Sequence, residues 1–226
     1  MRQPIAKPVL KESPTYLAVS LTTVKTYLRI DGDSEDAVIE SMIKAATIKL
    51  ENYTNKRFVN QKWEIYFDHF PCEYTYPDWE GTKDGALSSL YASGDTLEMP
   101  FGPLKSVQKF STFDDSTEYV FANTNFVIDS ASPFGKISLK SGSVWPATIL
   151  KATSGIKILA TFGIGEGAIP ANAENETPEV ASKVPQDIQE AVKILAAAFY
   201  EHRGDELPAL PSMVQLLLEP HRRIQV

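Results

Sequence analysis

A single cysteine, Cys72, in 226 residues excludes an internal disulfide and fits a reducing compartment. Long apolar runs are missing too: none approaches the ~20 residues of a membrane span. The opening stretch, MRQPIAKPVLKESPTYLAV, has prolines where a signal peptide needs an unbroken apolar core. A soluble, non-secreted protein with no membrane partner is expected. Basic charge is not in excess either. Lys and Arg number 22 against 29 Asp and Glu, a net charge of −7. That argues against tight binding to phosphate backbones, but not against a surface past which DNA slides.

The residue patterns of catalysis and metal binding are also scarce. His69, His202 and His221 are the only histidines. His69 and Cys72 make an HxxC pair with no second pair to complete a zinc site. No GxSxG elbow marks a serine nucleophile. In FGIGEGAIP the third glycine falls one residue too early for GxGxxG, and no helical pattern follows, so the segment reads as a strand end and turn. RIDGDSEDAV sets Asp31, Asp33 and Glu35 at alternate positions, as a calcium loop would. An EF-hand starting at Asp31 needs Gly at its sixth position and Glu at its twelfth, where this chain has Asp36 and Met42. The stretch reads instead as a turn at Asp31-Gly32 between two helices, with Asp33 or Ser34 capping the second. No catalytic residue, cofactor or metal is expected, and the chain is not read as an enzyme.

What is present is a change of period along the chain. Residues 1–19 hold Pro4, Pro8 and Pro14 and form an extended arm. Ser20 caps a helix with Leu21, Val24 and Leu28 on one face, ending near Ile30. Ile39, Met42, Ile43, Ala46, Leu50 and Tyr53 then recur at helical spacing to about Asn55. From QKWEIYFDHF onward the pattern alternates, and short strand-like runs (TLEM, KSVQKFSTF, TEYVFA, NFVID, KISLK, GIKILATFG) are separated by turn formers. A polar, proline-containing stretch, 171–184, reads as a linker. Pro185 opens a third helix whose segment AVKILAAAFY is apolar nearly all round, so it needs cover on several sides, from its own bundle or from a neighbouring subunit. A short helix around 212–219 and a basic tail close the chain. The fold class expected is α+β. A helical bundle drawn from both chain ends (20–58 and 185–226) carries an antiparallel β domain (59–170) inserted between helices two and three.

These residues resemble a known family. PTYLAVSLTTVKTYLRIDGDSEDAVIESMIKAATIKLENYTNKRF is similar to the N-terminal signature of head–tail connector (adaptor, or head-completion) proteins of tailed bacteriophages and gene transfer agents. The pattern is carried by Val19 to Leu21, Lys25, Leu28 to Asp31, Asp36, Ala45, Ala46, Tyr53, Thr54 and Phe58. KWEIYFDHFP, MPFGPLKSVQKFSTFDD, Trp145-Pro146, TFGIGEGAIP and VPQDIQEAVKILAAAFYEHRGDELP continue the likeness in order. Residues 72–95 and 171–183 depart from it, as an expanded aromatic loop and an insertion.

The resemblance implies a structural virion protein at the head–tail interface, made in the cytoplasm of the host bacterium. Such proteins form a dodecameric homo-oligomeric ring beneath the portal protein, extend the DNA channel and offer a platform for stopper and tail proteins. DNA would pass without sequence-specific binding, and an acidic ring would repel it from the wall. The C-terminal segment is the candidate for docking on the portal, with Met213, Leu217, His221, Arg222 and Arg223 as partner-binding residues. Two other readings stand beside it. Tyr74, Tyr76 and Trp79 of CEYTYPDWEG could stack on a carbohydrate or other ligand, and a tail terminator or stopper would follow similar physics.

Overall fold

In the computed structural model, residues 4–71, 95–115, 117–130, 132, 134–146, 149–168, 181–203 and 210–222 are described. The chain is α+β and divides into two units. Met1–Lys11 with Lys62–Thr161 form one, and Glu12–Gln61 with Phe162–Val226 form the other.

Among the described residues the second unit holds four helices: α1 (Leu21–Leu28), α2 (Asp36–Thr54), α3 (Gln186–Glu201) and α4 (Ser212–Leu218). Ser20 is the α1 cap, its hydroxyl accepting the Thr23 N–H at 3.2 Å. The helix stops where Arg29 turns left-handed at φ 56°, and Gly32, at φ +89°, makes the turn that follows. The start of α2 differs from expectation. Neither Asp33 nor Ser34 caps it; Glu35 occupies the cap position without a side-chain cap bond. The Asp33 side chain is instead drawn to Lys25, 2.9 Å away, a stronger attraction than a neutral amide offers. The backbone carbonyl of Asp33 meets the Asp36 N–H. Asn55, at φ 54°, ends α2 in the left-handed conformation that asparagine tolerates.

Helix α3 follows Pro185, which stands at its cap rather than as its first residue. It packs on α1, α2 and α4. Ile39, Ile43 and Leu50 of α2, Val24 of α1, Ile188, Val192 and Leu195 of α3, and Val214 and Leu218 of α4 make one core with Phe58 and Val59. Burying each large aliphatic side chain contributes about 1.5–3 kcal/mol. No residue from Ala191 to Tyr200 is exposed. The apolar helix therefore finds most of its cover inside its own chain. Beside this core, Val59 pairs with Gly165 and Leu17 with Ala168. A Cβ at Gly167 would lie 2.3 Å from the Leu17 carbonyl oxygen, so glycine is what lets the segments meet. The FGIGEG run is thus a packing element.

Among the described residues the first unit holds two sheets. Five strands lie in the order β1 (Lys7–Glu12), β2 (Gln61–Phe67), β8 (Ile156–Phe162), β4 (Leu104–Phe113), β5 (Glu118–Val120). Three more lie in the order β3 (Thr96–Glu98), β7 (Lys136–Leu139), β6 (Phe126–Asp129). β4 runs antiparallel to β5, and β7 to both β3 and β6. Alternation on β8 sends Ile156, Ile158, Ala160 and Phe162 inward. Phe110 sits between the rings of Phe121, Phe126 and Trp145, at 5.3, 5.7 and 6.0 Å. Part of the N-terminal arm is strand β1, held at the sheet edge by Lys7–Asp68 and Lys11–Glu64 ion pairs.

Candidate functional site

The acidic turn 31–36 is held by cations of the protein itself. Lys25 Nζ lies 2.6 Å from Asp36 and 2.9 Å from Asp33; these hydrogen bonds, Asp36 first, raise the lysine's pKa. Glu35 accepts from the Tyr200 hydroxyl at 2.5 Å and from Arg203 at 2.6 Å. Those two bonds, Tyr200 first, hold its carboxyl below the ordinary glutamate range. Arg203 also lies over the Tyr200 ring at 3.9 Å. The turn is thereby tied to the C-terminal end of α3. Among the described residues no group of three His, Cys, Asp or Glu is placed to hold a metal. His69 meets the Phe70 carbonyl, and Cys72 lies outside the described residues. An open groove of 410 Å³ beside α1 is lined by Thr22, Thr23, Thr26, Tyr27 and Lys193. Its described lining offers hydroxyls and the Lys193 ammonium, which is paired with Glu190 at 2.6 Å and lies over the Tyr27 ring.

At the other end of α3, the chain end is fastened down. The Asp187 carboxylate lies 2.5 Å from His221 Nε2 and accepts the Ile188 N–H at 2.9 Å. Burial opposes the Asp187 charge, but the hydrogen bonds from His221 and Ile188 outweigh it and keep the pKa low. Arg222 lies 5.2 Å from the Tyr53 ring, a cation–π distance. A 3-10 turn, Glu219–His221, joins α4 to this contact.

The sequence-derived partner residues therefore separate into kinds. Met213 is 55% exposed and is joined on the same face by Leu216, 70% exposed. Leu217 turns inward against the core, while Arg222 is exposed. His221 is engaged with Asp187, and Arg223 lies outside the described residues. Residue spacing alone does not reveal Leu216, because a short helix with Val214, Leu216, Leu217 and Leu218 admits several inward faces. The core takes Val214 and Leu218, four apart, which leaves Met213 and Leu216, three apart, outside. Removing residues 213–226 would therefore take two core side chains with it, so truncation does not isolate a docking function. A second exposed strip, equally unmarked in the sequence, runs along α2: Val38, Ser41, Ala45 and Ile48.

The comparisons with known proteins join this geometry to the sequence signature. Residues 18–76 match the family model described as Phage gp6-like head-tail connector protein. The match takes in α1, α2 and β2. No curated protein matches the chain. Among solved structures, a chain from the neck of an empty gene transfer agent (GTA) particle, computed with C6 symmetry, superposes with a TM-score of 0.68 at 21% identity, covering 98% of this chain and 97% of that one. A chain from the virion of a native GTA particle gives 0.69 at 21%, covering 97% and 96%. A chain from the neck of a native GTA particle, computed with C12 symmetry, gives 0.61 at 23%, covering 96% and 97%. At these identities the likeness is one of fold, and it runs nearly end to end on both sides.

Proposed function

We propose that this chain is a structural subunit of a phage-like particle neck, a head–tail connector that assembles as a ring. The observation that carries the reading is the convergence of two likenesses: the connector family's sequence over residues 18–76 and a fold that corresponds to GTA neck chains over 96–98% of its length. The finer reading is a dodecamer. Symmetries of order six and twelve are both subgroups of a twelve-membered ring, and closed cyclic symmetry is the ordinary solution for repeated head-to-tail contacts. In this reading the ring docks on the portal protein, extends the DNA channel and presents the platform for stopper and tail proteins. A chain charge of −7, repeated around a ring, favours passage of DNA without retention.

Two readings compete. A carbohydrate-binding module would use Tyr74, Tyr76 and Trp79, which lie outside the described residues, and no further observation favours it. A stopper or tail terminator would sit in the same neck at a different height. Cryo-electron microscopy of particles carrying a tagged chain separates them. The expected result is a ring of density against the portal, together with loss of tail attachment to DNA-filled heads when the chain is absent. Density at the tail side of the neck would replace the connector with a stopper or terminator. Absence of the chain from particles would overturn the reading.

A further inference from the structure

Two unlike apolar strips lie on the surface of the helical unit. One is on α2, where Val38 (40% exposed) and Ile48 (58%) frame Ser41 and Ala45 at helical spacing. The other is Met213 and Leu216 on α4. α2 and α4 each bury their other face against α3. The strips carry opposite charges at their margins. Lys49 follows Ile48 and is exposed, and Glu219, three residues beyond Leu216, is exposed. Neither takes part in an ion pair among the described residues, whereas Lys44 is already paired with Glu40 at 2.6 Å. Two different patches on one chain, matched in apolar character and opposite in margin charge, suit a heterologous contact, in which each copy uses one patch toward each neighbour and the series closes as a ring. Because α3 finds most of its cover within the chain, the more exposed strips on α2 and α4 are the apolar surface left for a neighbour to bury.

We propose that the α2 strip around Ile48 of one copy packs on the α4 strip of Met213 and Leu216 of the next, with Lys49 set against Glu219. This rests on the ring reading above and specifies its interface. The occupant is a second copy of this chain.

The test uses assembled particles with Cys72→Ser as the background. Ile48→Cys together with Leu216→Cys, treated with a short bis-maleimide, is expected to give a ladder of cross-linked multimers, and each single variant only monomer. Dimers from Ile48→Cys alone would show a self-complementary contact and overturn the proposal. A monomer band from the double variant would overturn it as well, with the connector reading intact because the chain is still in the particle. Absence of the unsubstituted chain from particles would remove both. Charge exchange supplies a second measurement. Lys49→Glu or Glu219→Lys alone is expected to lower the amount of chain per particle about fivefold, at the upper end of what an exposed ion pair contributes. The two together are expected to restore it. Losses that add rather than cancel would overturn the pairing.

Discussion

Two glutamates show how differently the same side chain behaves in this fold. Glu51, 4% exposed, accepts the Phe58 N–H at 2.7 Å and the Gln61 amide at 3.0 Å, and Arg57 lies 3.6 Å away. Burial dominates and pushes its pKa up in spite of these partners. Glu51→Ala removes the buried acceptor shared by the Phe58 N–H, the Gln61 amide and Arg57 and is expected to cost about 3 kcal/mol in urea unfolding. Glu51→Gln keeps one oxygen for Phe58 and is expected to cost less. The pH signature follows from the direction of the shift. A raised folded-state pKa gives a contribution fully present below the ordinary glutamate pKa and lost as pH rises through the folded value. The stability of the unsubstituted protein relative to Glu51→Gln should therefore fall with rising pH across that window. Glu35 has the opposite sign. Its lowered pKa gives a contribution present above the ordinary value and lost as pH falls through the folded one. Relative to Glu35→Gln, the protein should lose its advantage on acidification below the ordinary glutamate range. Urea midpoints measured at a series of pH values check both, and parallel profiles for the two variants would contradict the assignment of their environments.

At the level of elements, local chemistry decides the ends and long-range contact decides the rest. Ser20→Ala removes the acceptor for the Thr23 N–H and is expected to lower stability by about 1 kcal/mol, read as a shift in denaturation midpoint without a change in slope. That cap was legible because Ser20 directly precedes the apolar period of α1. The cap of α2 was not, because the charge that captures Asp33 comes from Lys25, eight residues away. The strands β2 to β4 and β6 to β8 could be read from alternation and turn formers, and β5, exposed throughout, from the strand-forming Tyr119 and Val120. β1 could not, since all six of its residues are exposed and a strand with no buried face writes no period into the sequence. The glycines of FGIGEG tell the same story: their meaning is the close approach of Leu17 at Gly167, a partner some 150 positions earlier in the chain. The candidate surface was legible in part. Met213 and Arg222 could be singled out from the tail's composition, while Leu216, Val38 and Ile48 emerge only once the core has claimed their neighbours.

For the whole molecule, the decisive feature is how the chain leaves and re-enters the helical unit. It leaves at Gln61 and returns at Phe162. Just inside those points the two crossings touch: the Asn60 N–H donates to the Gly165 carbonyl at 3.0 Å, and a Cβ on Gly163 would fall 2.7 Å from the Asn60 Cα. An excursion of 100 residues, Lys62–Thr161, thus begins and ends at neighbouring backbone positions, the arrangement that tolerates insertion and removal of a segment. Replacing residues 62–161 by a short Gly/Ser linker closes a small loop, which costs little chain entropy. The core of Val24, Ile43, Leu50, Phe58, Val192, Leu195 and Leu218 lies wholly within the residues retained. The shortened chain is expected to keep four helices and unfold in one cooperative transition, seen as helical circular dichroism and a sigmoidal urea curve. A molten product, with helical signal but no cooperative transition, would show that the helical unit depends on the inserted segment and is not a folding unit of its own.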